Sequence, residues 1–212
     1  MGVSAQAWAH LLEAGATRHF EPGEVLLRQG DPGTHVLALL AGRVKITLTS
    51  PDGDVLVLAI RGAREILGEM AVLGLDDRSA TVTAVEPCLT RVIPAERFRQ
   101  LMRSEALESE FLRHAMARIR ESEEWRAELA TLPAGPRLAR TLLQLLPADL
   151  EVPADIVLSQ AELGQAAGLS RSTVAAELGR LRGQGAIGTG RGHIWILDLA
   201  RLRSASQTRR NV

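Results

Sequence analysis

The order of apolar and polar residues divides the chain into a strand-rich part and a helix-rich part. From Phe20 to Pro94, short apolar runs such as VLALL, VKITL and VLVLAI are separated by turn sequences such as QGDPG and PDG. Short strands joined by glycine turns are typical of a β-sandwich, a jelly roll or a barrel. Apolar residues at helical spacing predict one short helix before this region, within residues 4–14, and another that begins at Pro94.

A longer periodic pattern follows from about Ser104 to Leu132. Its stripe recurs every three or four residues, at Leu107, Phe111, Ala115, Ile119, Ser122, Trp125, Leu129 and Leu132. Such a stripe is typical of a coiled-coil seam. The alternative is a helix that lies on its own domain, but nearly thirty residues is long for covering a small sheet, which favours a homodimer. The polar Ser122 would then set the register or face a polar ligand.

Two helical segments joined by a tight turn follow in SQAELGQAAG and LSRSTVAAELGRLRGQG. Ser159 and Glu162 have the spacing of a capping box, which predicts a helix start. Gly168 permits the turn, and Ser170 can cap the second helix. Two helices joined by a short glycine-containing turn predict a helix-turn-helix.

The outward face of the second helix favours a DNA-binding motif over an ordinary helical hairpin. This face presents Arg171, Ser172 and Arg182, with Arg180 nearby, rather than acidic or mixed side chains. The sequence AIGTGRGHIWILD then predicts a strand, a glycine turn and a second strand, because its glycines do not open a helix as a dinucleotide-binding loop must. We interpret this hairpin as a wing, with Arg191 at its tip near a phosphate.

The sequence LPAGP, at 132–136, predicts the end of the long helix and a domain boundary. We expect a sensor domain at 1–103, a dimerisation helix at 104–133 and a DNA-binding domain at 134–212. The predicted fold class is α+β: an N-terminal β jelly roll, a long dimerisation helix and a C-terminal winged helix-turn-helix.

The charge distribution supports this division. Residues 1–136 contain 15 Lys/Arg and 19 Asp/Glu, and residues 137–212 contain 10 Lys/Arg and 6 Asp/Glu. The net charge of zero is therefore the sum of −4 in the first part and +4 in the second. A positive C-terminal part favours contact with a polyanion. Three Phe, three Trp and no Tyr are too few aromatic residues for stacking on single strands. Duplex DNA is therefore the expected partner.

Composition and motifs argue against several other classes of protein. Hydrophobic residues make up 46% and charged residues 24%, as in an average globular protein. No apolar run is long enough to span a membrane and no signal-peptide pattern occurs, so we expect a cytoplasmic protein without membrane contact. Cys88 is the single cysteine and the five histidines are scattered, so we expect neither a disulfide nor a metal site. No nucleophile motif occurs, and we expect no enzymatic activity.

The segment GEMAVLGLDDRSATVTA contains the candidate ligand chemistry of the strand-rich part. One interpretation is an ordinary hairpin with an exposed Glu69–Arg78 ion pair, which would contribute little. The other is an anion pocket, in which the Arg78 guanidinium matches a phosphate and the Ser79 hydroxyl adds a donor. Backbone amides near Met70 and Ala71 would add further donors, and Glu69 could accept from a ribose hydroxyl.

The order of these parts resembles the cyclic-AMP receptor protein and fumarate–nitrate reduction regulator (CRP/FNR) family of bacterial transcription regulators. FEPGEVLLRQGDPG and LLAGRVKI are similar to the family's cyclic-nucleotide-binding roll, and the stretch from Gly68 to Ala80 is similar to its phosphate-binding cassette. SQAELGQAAGLSRSTVAAELGRLRGQGAI resembles its helix-turn-helix. The resemblance implies a homodimer that binds a palindromic operator under the control of a cyclic nucleotide, with cyclic AMP as the expected effector and RNA polymerase as a candidate partner.

The resemblance also implies ligand-binding roles. It assigns the ribose to Glu69 and the cyclic phosphate to Arg78 with Ser79, and it places Ser122 and Glu123 where family members carry hydroxyls that meet the base. Glu123 departs from that pattern, because an ionised carboxylate accepts hydrogen bonds but does not donate them. The alternatives are a regulator that needs no effector, a sensor of cyclic di-GMP or of haem and gases, and a nucleotide-binding module whose C-terminal domain binds protein.

In the recognition helix, the resemblance implies that Arg171 meets a guanine edge and that Ser170 and Thr173 meet phosphates. Ser172 and Ala176 replace the family's usual Glu and second Arg, which predicts a half-site with fewer specified positions. Ser159 and Arg191 complete the expected set of DNA contacts.

Overall fold

A computed structural model describes residues 5–74, 76–103, 105–146 and 154–207. The chain forms two compact units, Met1–Ser122 and Glu123–Val212. The domain boundaries expected from the sequence stay a prediction.

The first unit contains eight strands: β1 (Ala16–Phe20), β2 (Val25–Leu27), β3 (His35–Ala41), β4 (Val44–Thr49), β5 (Val55–Arg61), β6 (Glu65–Leu67), β7 (Thr81–Ala84) and β8 (Cys88–Pro94). They form two four-stranded sheets, in the orders β1-β8-β3-β6 and β2-β7-β4-β5. Every pairing within them is antiparallel. Except for the β4–β5 hairpin, consecutive strands thus lie in different sheets, which is the arrangement of the jelly roll that the sequence predicts.

Strand β3 explains why the sequence VLALL is continuously apolar. Its alternate residues Leu37 and Leu39 belong to the core cluster that also contains Phe20, Val44 and Val82. The intervening residues point to the other face of the sheet. There, Val36 and Ala38 belong to a second cluster with residues of the covering helices. Both faces of β3 are therefore buried.

The first unit contains three short helices, α1 (Ala5–Glu13), α2 (Glu69–Gly74) and α3 (Ala95–Met102), and the first part of a long helix, α4 (Glu105–Thr131), which crosses the division at Ser122. Helix α3 begins after Pro94, which is its N-cap, as the sequence predicts. At the start of α4, Leu107 is buried in the cluster around Phe98, and the Phe111 ring meets the Phe98 ring edge-on at 5.8 Å. These two members of the predicted dimer seam instead pack on their own unit, so the predicted seam is wrong at this end.

A different apolar stripe of α4 is exposed. Leu112, Met116 and Ile119 follow one another at spacings of four and three, and between 46% and 62% of each side chain is exposed. Leu112 and Met116 are displaced by one residue, or about 100° around the helix, from Phe111 and Ala115 of the predicted seam, whereas Ile119 is itself a predicted seam residue. The side chains of Trp125 and Leu129, which the sequence also places in the seam, lie outside the described part.

The second unit contains four helices and a small sheet: α5 (Ala134–Gln144), β9 (Ala154–Val157), α6 (Gln160–Ala167), α7 (Arg171–Gly183), β10 (Ile187–Gly190), β11 (His193–Ile196) and α8 (Leu199–Ala205). The sheet has the order β10-β11-β9. Buried residues of the helices, including Leu138, Leu163 and Leu181, and of the sheet, including Ile156 and Ile194, make its apolar core. Helices α6 and α7 with the β10–β11 hairpin form the predicted winged helix-turn-helix.

Candidate functional site

Arg78 is a buried cation of the strand-rich unit, with only 5% of its surface exposed. Its Nη1 donates to the Gly68 carbonyl at 2.5 Å, and its Nη2 donates to the His35 carbonyl. Burial lowers the pKa of the Arg78 guanidinium from its ordinary value, while the charges of Glu69 and Asp31 oppose that shift. The guanidinium therefore holds two backbone segments together and has further N–H groups that can bind a ligand.

Gly68 lets the chain approach this guanidinium closely. Its φ is +83°, a conformation that favours glycine. A Cβ atom at this position would lie 2.8 Å from Leu27 Cδ1 and would collide with the Arg78 guanidinium. Both the backbone conformation and the space therefore require glycine between β6 and α2.

Glu69 is buried at the start of α2, but its partner is not Arg78. Its Oε1 accepts a hydrogen bond from Arg118 Nη1 of helix α4 at 2.6 Å. The interpretation of the segment as a hairpin with a Glu69–Arg78 ion pair is therefore wrong. Instead, the carboxylate connects the candidate cassette to the long helix.

A second polar contact lies close to this one. His114 Nε2 of α4 lies 3.5 Å from Glu65 Oε2 of β6, and His114 is buried. Although burial opposes ionisation of Glu65, the His114 imidazole and then the charges of Arg61 and Arg118 hold its pKa below the ordinary value.

Sequence reasoning missed Arg118 and His114. One signal was present: Glu65 and Glu69 are four residues apart, and so are His114 and Arg118 on one face of α4. Two acidic and two basic side chains at equal spacing are compatible with contact between the two segments.

The other predicted ligand residues occupy different environments. Met70 is 65% exposed, whereas Ala71 is buried next to Gly33, where an added Cβ would lie 2.7 Å from the Ala71 carbonyl group. Ser79 is exposed beside Arg78. Ser122 and Glu123 are exposed residues of α4, and the division between the two units falls between them.

A cavity of about 300 Å³ lies next to Arg78, between β2 and the beginning of β3. Leu27 of β2 contributes apolar surface, and Thr34 and His35 contribute polar groups. Of the ligand-binding residues predicted from the sequence, Arg78 lines this cavity, whereas Glu69 and Ser79 are not among its lining residues.

Local hydrogen bonds and glycines define the ends of helix α6 in the helix-turn-helix. Ser159 Oγ accepts from the Glu162 N–H at 3.2 Å, and Glu162 Oε2 accepts from the Ser159 N–H at 2.9 Å, which confirms the predicted capping box. Gly168 ends α6 in the left-handed region at φ +60°. Gly164 is needed as well, because a Cβ there would lie 2.7 Å from the Leu169 carbonyl oxygen.

Three hydroxyls meet at the beginning of α7. Ser170 Oγ accepts from the Thr173 N–H at 3.2 Å, and it lies 2.9 Å from Ser172 Oγ and 2.8 Å from Thr173 Oγ1. Ser170 is therefore the N-cap of α7, as the sequence predicts. This cluster places short polar side chains at the positive end of the helix dipole, where anions are favoured.

The exposed side of α7 differs from the sequence expectation at one arginine. Arg171 and Ser172 are exposed. Arg180, however, donates to Glu177 Oε2 at 2.7 Å. Its guanidinium also lies against Gly135 of α5, where an added Cβ would be 2.7 Å from Arg180 Nη2. Arg180 is thus directed towards α5.

The wing is a β10–β11 hairpin with Arg191 and Gly192 at its turn, as the sequence predicts. The Trp195 ring lies over Gly190, where a Cβ would be 2.6 Å from the indole. His193 stacks beside Trp195, with ring centroids 5.8 Å apart, and its Nδ1 lies 2.8 Å from Asp155 Oδ2 of β9. Side-chain packing on one face of the sheet therefore holds strand β11, which follows Arg191, in place.

Within residues 5–74, 76–103, 105–146 and 154–207, no group of three or more His, Cys, Asp or Glu residues could hold a metal ion. In the same part of the chain, no helix combines the length and the apolar character needed to cross a membrane.

A β-roll with a buried cassette arginine, followed by a long helix and a winged helix-turn-helix, defines the class of ligand-responsive transcription regulators. Residues 17–105 match the cyclic nucleotide-binding domain family, and residues 136–205 match the Crp-like helix-turn-helix domain family. The chain belongs to the CRP/FNR family of transcription regulators.

Individual relatives agree with this assignment. The chain is 31% identical to the cyclic AMP receptor protein of Thermus thermophilus, covering 87% of this chain and 85% of that protein. It is 29% identical to the CRP-like cAMP-activated global transcriptional regulator of Mycobacterium tuberculosis, covering 82% and 80%. Its fold is similar to the crystal structure of a CRP/FNR-family transcriptional regulator from Thermus thermophilus, with a TM-score of 0.75, 26% identity and coverage of 92% and 100%.

Proposed function

We propose that the protein is a homodimeric, sequence-specific DNA-binding regulator whose DNA affinity is controlled by cyclic AMP bound to the roll. Two of its relatives are named for cyclic AMP. The observation that carries the proposal is the buried Arg78 guanidinium beside Gly68, because a buried cation next to a close backbone approach suits a phosphate. As a DNA-binding protein it would act in the cytoplasm.

In this proposal, Arg78 and the exposed Ser79 bind the cyclic phosphate, together with Gly68 and the amides near Met70 and Ala71. Glu69 accepts a hydrogen bond from the ribose. Ser122 and Glu123 meet the base. No protein metal is required, because Arg78 itself supplies the positive charge that a phosphate needs.

The Glu69–Arg118 contact offers a route from the ligand to α4. A ribose hydroxyl that donates to Glu69 changes the surroundings of the carboxylate to which Arg118 is bound. A ligand can shift a conformational equilibrium only by its difference in affinity for the two states. Arg118 is the residue through which such a difference would reach the long helix.

The exposed stripe of α4 supports the homodimer. Apolar residues at spacings of four and three are the pattern of a helix that packs on a second helix. Leu112, Met116 and Ile119 have this pattern and are exposed to solvent in the single chain. Pairing α4 with α4 of a second copy would bury them.

The second unit would then bind DNA. A dimer presents two copies of α7 to successive major grooves about 34 Å apart, which requires a palindromic operator. Arg171 would meet a guanine, Ser159, Ser170, Ser172 and Thr173 would lie near the backbone or base edges, and Arg191 would meet a phosphate. RNA polymerase is a further proposed partner.

The test is calorimetric titration of the purified full-length protein with cyclic AMP, cyclic GMP and cyclic di-GMP. We expect cyclic AMP to bind and to increase affinity for a duplex selected from a random pool. Ser79→Ala should weaken nucleotide binding, whereas Ser204→Ala, an exposed serine on α8, should not. No heat from any nucleotide would contradict an effector of this class and favour a regulator that needs no effector or senses haem.

The residue expected to meet the base suggests a second candidate for the effector. Glu123 is exposed and accepts but does not donate hydrogen bonds when ionised, so a nucleotide whose base offers different donors could bind instead. Binding of cyclic di-GMP but not cyclic AMP in the same titration would support this alternative.

A further inference from the structure

The cavity beside Arg78 is lined mostly by residues that lie outside the candidate cassette. It is about 300 Å³ in volume and includes apolar surface from β2 and polar groups from Thr34, His35 and Arg78. Arg28 and Asp31 also line it. An apolar wall with a few converging polar groups is typical of a small-molecule site.

His35 is held next to the guanidinium on one wall of this cavity. Arg78 Nη2 donates to the His35 carbonyl, so the two residues are in direct contact. The Thr34 hydroxyl lies 3.0 Å from His35 Nδ1. This contact orients the imidazole and leaves Nε2 as the second hydrogen-bonding atom of the ring.

The surroundings of His35 favour the neutral imidazole. Burial, and then the charges of Arg78 and Arg18 of β1, lower the pKa of His35 below its ordinary value. Arg28 and Asp31, the other charged residues that line the cavity, carry opposite charges. Additional negative charge in the cavity would therefore favour the protonated ring.

We propose that the anionic group of the effector, bound at Arg78, lies at the edge of this cavity, that His35 contacts that group from the cavity wall, and that His35 takes up a proton when the effector binds. The inference rests on the proposed nucleotide function of the roll. An anion beside Arg78 offsets the positive charge that disfavours the imidazolium, and it accepts the hydrogen bond that a protonated ring can donate. Arg28, Asp31 and Arg18 are present with or without the ligand, so the change in protonation comes from the anion.

The sign of the pH dependence follows from linkage. If the bound state holds more protons than the free state, affinity rises as the pH falls. Between about pH 8 and pH 6, which includes the ordinary titration range of an imidazole, cyclic AMP affinity should rise about three- to tenfold. His35→Gln should remove this rise, because glutamine is polar and of similar reach but does not titrate.

The experiment is calorimetry of the full-length protein with cyclic AMP in three buffers of different ionisation enthalpy at one pH. A slope of observed heat against buffer enthalpy measures the protons taken up. We expect uptake in the wild type and in His10→Gln, which changes an exposed histidine of α1. We expect none in His35→Gln, together with weaker binding, because the variant loses the proposed contact and has no ring that titrates.

A second measurement uses the wild-type protein, so it does not depend on whether the variant folds. Histidine ring signals of the wild-type protein, followed by NMR across the same pH range, should show one histidine that titrates at higher pH when cyclic AMP is present. Binding without proton uptake, or equal uptake in His35→Gln, would overturn the coupling and leave the nucleotide function intact. Absence of any binding would overturn the nucleotide function and this inference with it.

Discussion

Arg118 of the long helix donates to the buried carboxylate of Glu69 at 2.6 Å. Glu69 directly follows Gly68, whose carbonyl accepts from Arg78. Helix α4 is thus bonded to the segment that contains the candidate phosphate-binding arginine. The Glu69–Arg118 ion pair therefore connects the candidate ligand site to the long helix.

The first prediction concerns the strength of that ion pair. Arg118→Met should lower the free energy of unfolding by about 1.5–3 kcal/mol, because it leaves a charged carboxylate buried without its donor. Glu69→Gln should cost less, since a neutral amide is easier to bury. Urea unfolding of both variants and of the double variant measures the coupling.

Arg113→Met is the matched control for this pair. Arg113 is an exposed residue of the same helix, and its replacement should change stability by less than about 0.5 kcal/mol. Equal losses in the two arginine variants would mean that the Glu69–Arg118 pair contributes nothing of its own.

The second prediction separates backbone strain from crowding at Gly68. Gly68 and Gly53 have nearly the same positive φ, +83° and +88°, but a Cβ at Gly53 would meet nothing within 4 Å. Gly53→Ala should therefore cost only the left-handed conformation, about 1–2 kcal/mol. Gly68→Ala should cost more and should weaken nucleotide binding, because it displaces Arg78. Thermal unfolding measures the loss of stability in each variant, and calorimetry measures nucleotide binding. Equal losses of stability in Gly68→Ala and Gly53→Ala would exclude a contribution from crowding at Gly68.

The third prediction concerns the exposed stripe of α4. Met116→Glu places a charge between Leu112 and Ile119, so it should shift the protein from dimer to monomer in sedimentation velocity. Arg113→Glu also introduces a glutamate on an exposed position of α4, but off the stripe, and should leave the dimer intact. A dimer that survives Met116→Glu would place the interface elsewhere.

The fourth prediction distinguishes base contacts from phosphate contacts. Arg171→Ala should cost about 1–3 kcal/mol of DNA binding and relax the preference at one base pair of each half-site. Arg191→Ala should weaken all duplexes alike and reduce the salt dependence by about one unit of slope. Selection from a random pool and salt titrations measure both effects.

Arg203→Ala provides the control for these arginines. Arg203 is exposed on α8, which is not part of the helix-turn-helix or the wing, so its loss should leave both the specificity and the slope unchanged. If Arg171→Ala behaves as Arg203→Ala does, α7 does not contact bases through Arg171.

Local features of the sequence determined much of this protein. The capping box of Ser159 and Glu162, the left-handed Gly168 and the glycine turn before His193 each depend on residues close together in the chain, and all three occur in the structure. The same holds for the short strands of the roll, whose apolar runs and turn glycines predict them directly. The interactions in these elements span only a few residues, so residue type and spacing suffice.

The tertiary structure decided which partners the charged and apolar side chains have. Glu69 binds Arg118, forty-nine residues away, rather than Arg78. Two apolar stripes of α4 lie one residue apart, and only packing against Phe98 selects the stripe of Leu107 and Phe111 for the roll and leaves that of Met116 exposed. The cavity beside His35 is formed by strands distant in sequence from Arg78. Periodicity cannot distinguish such alternatives, because each satisfies the same local pattern and they differ only in contacts that exist after the chain has folded.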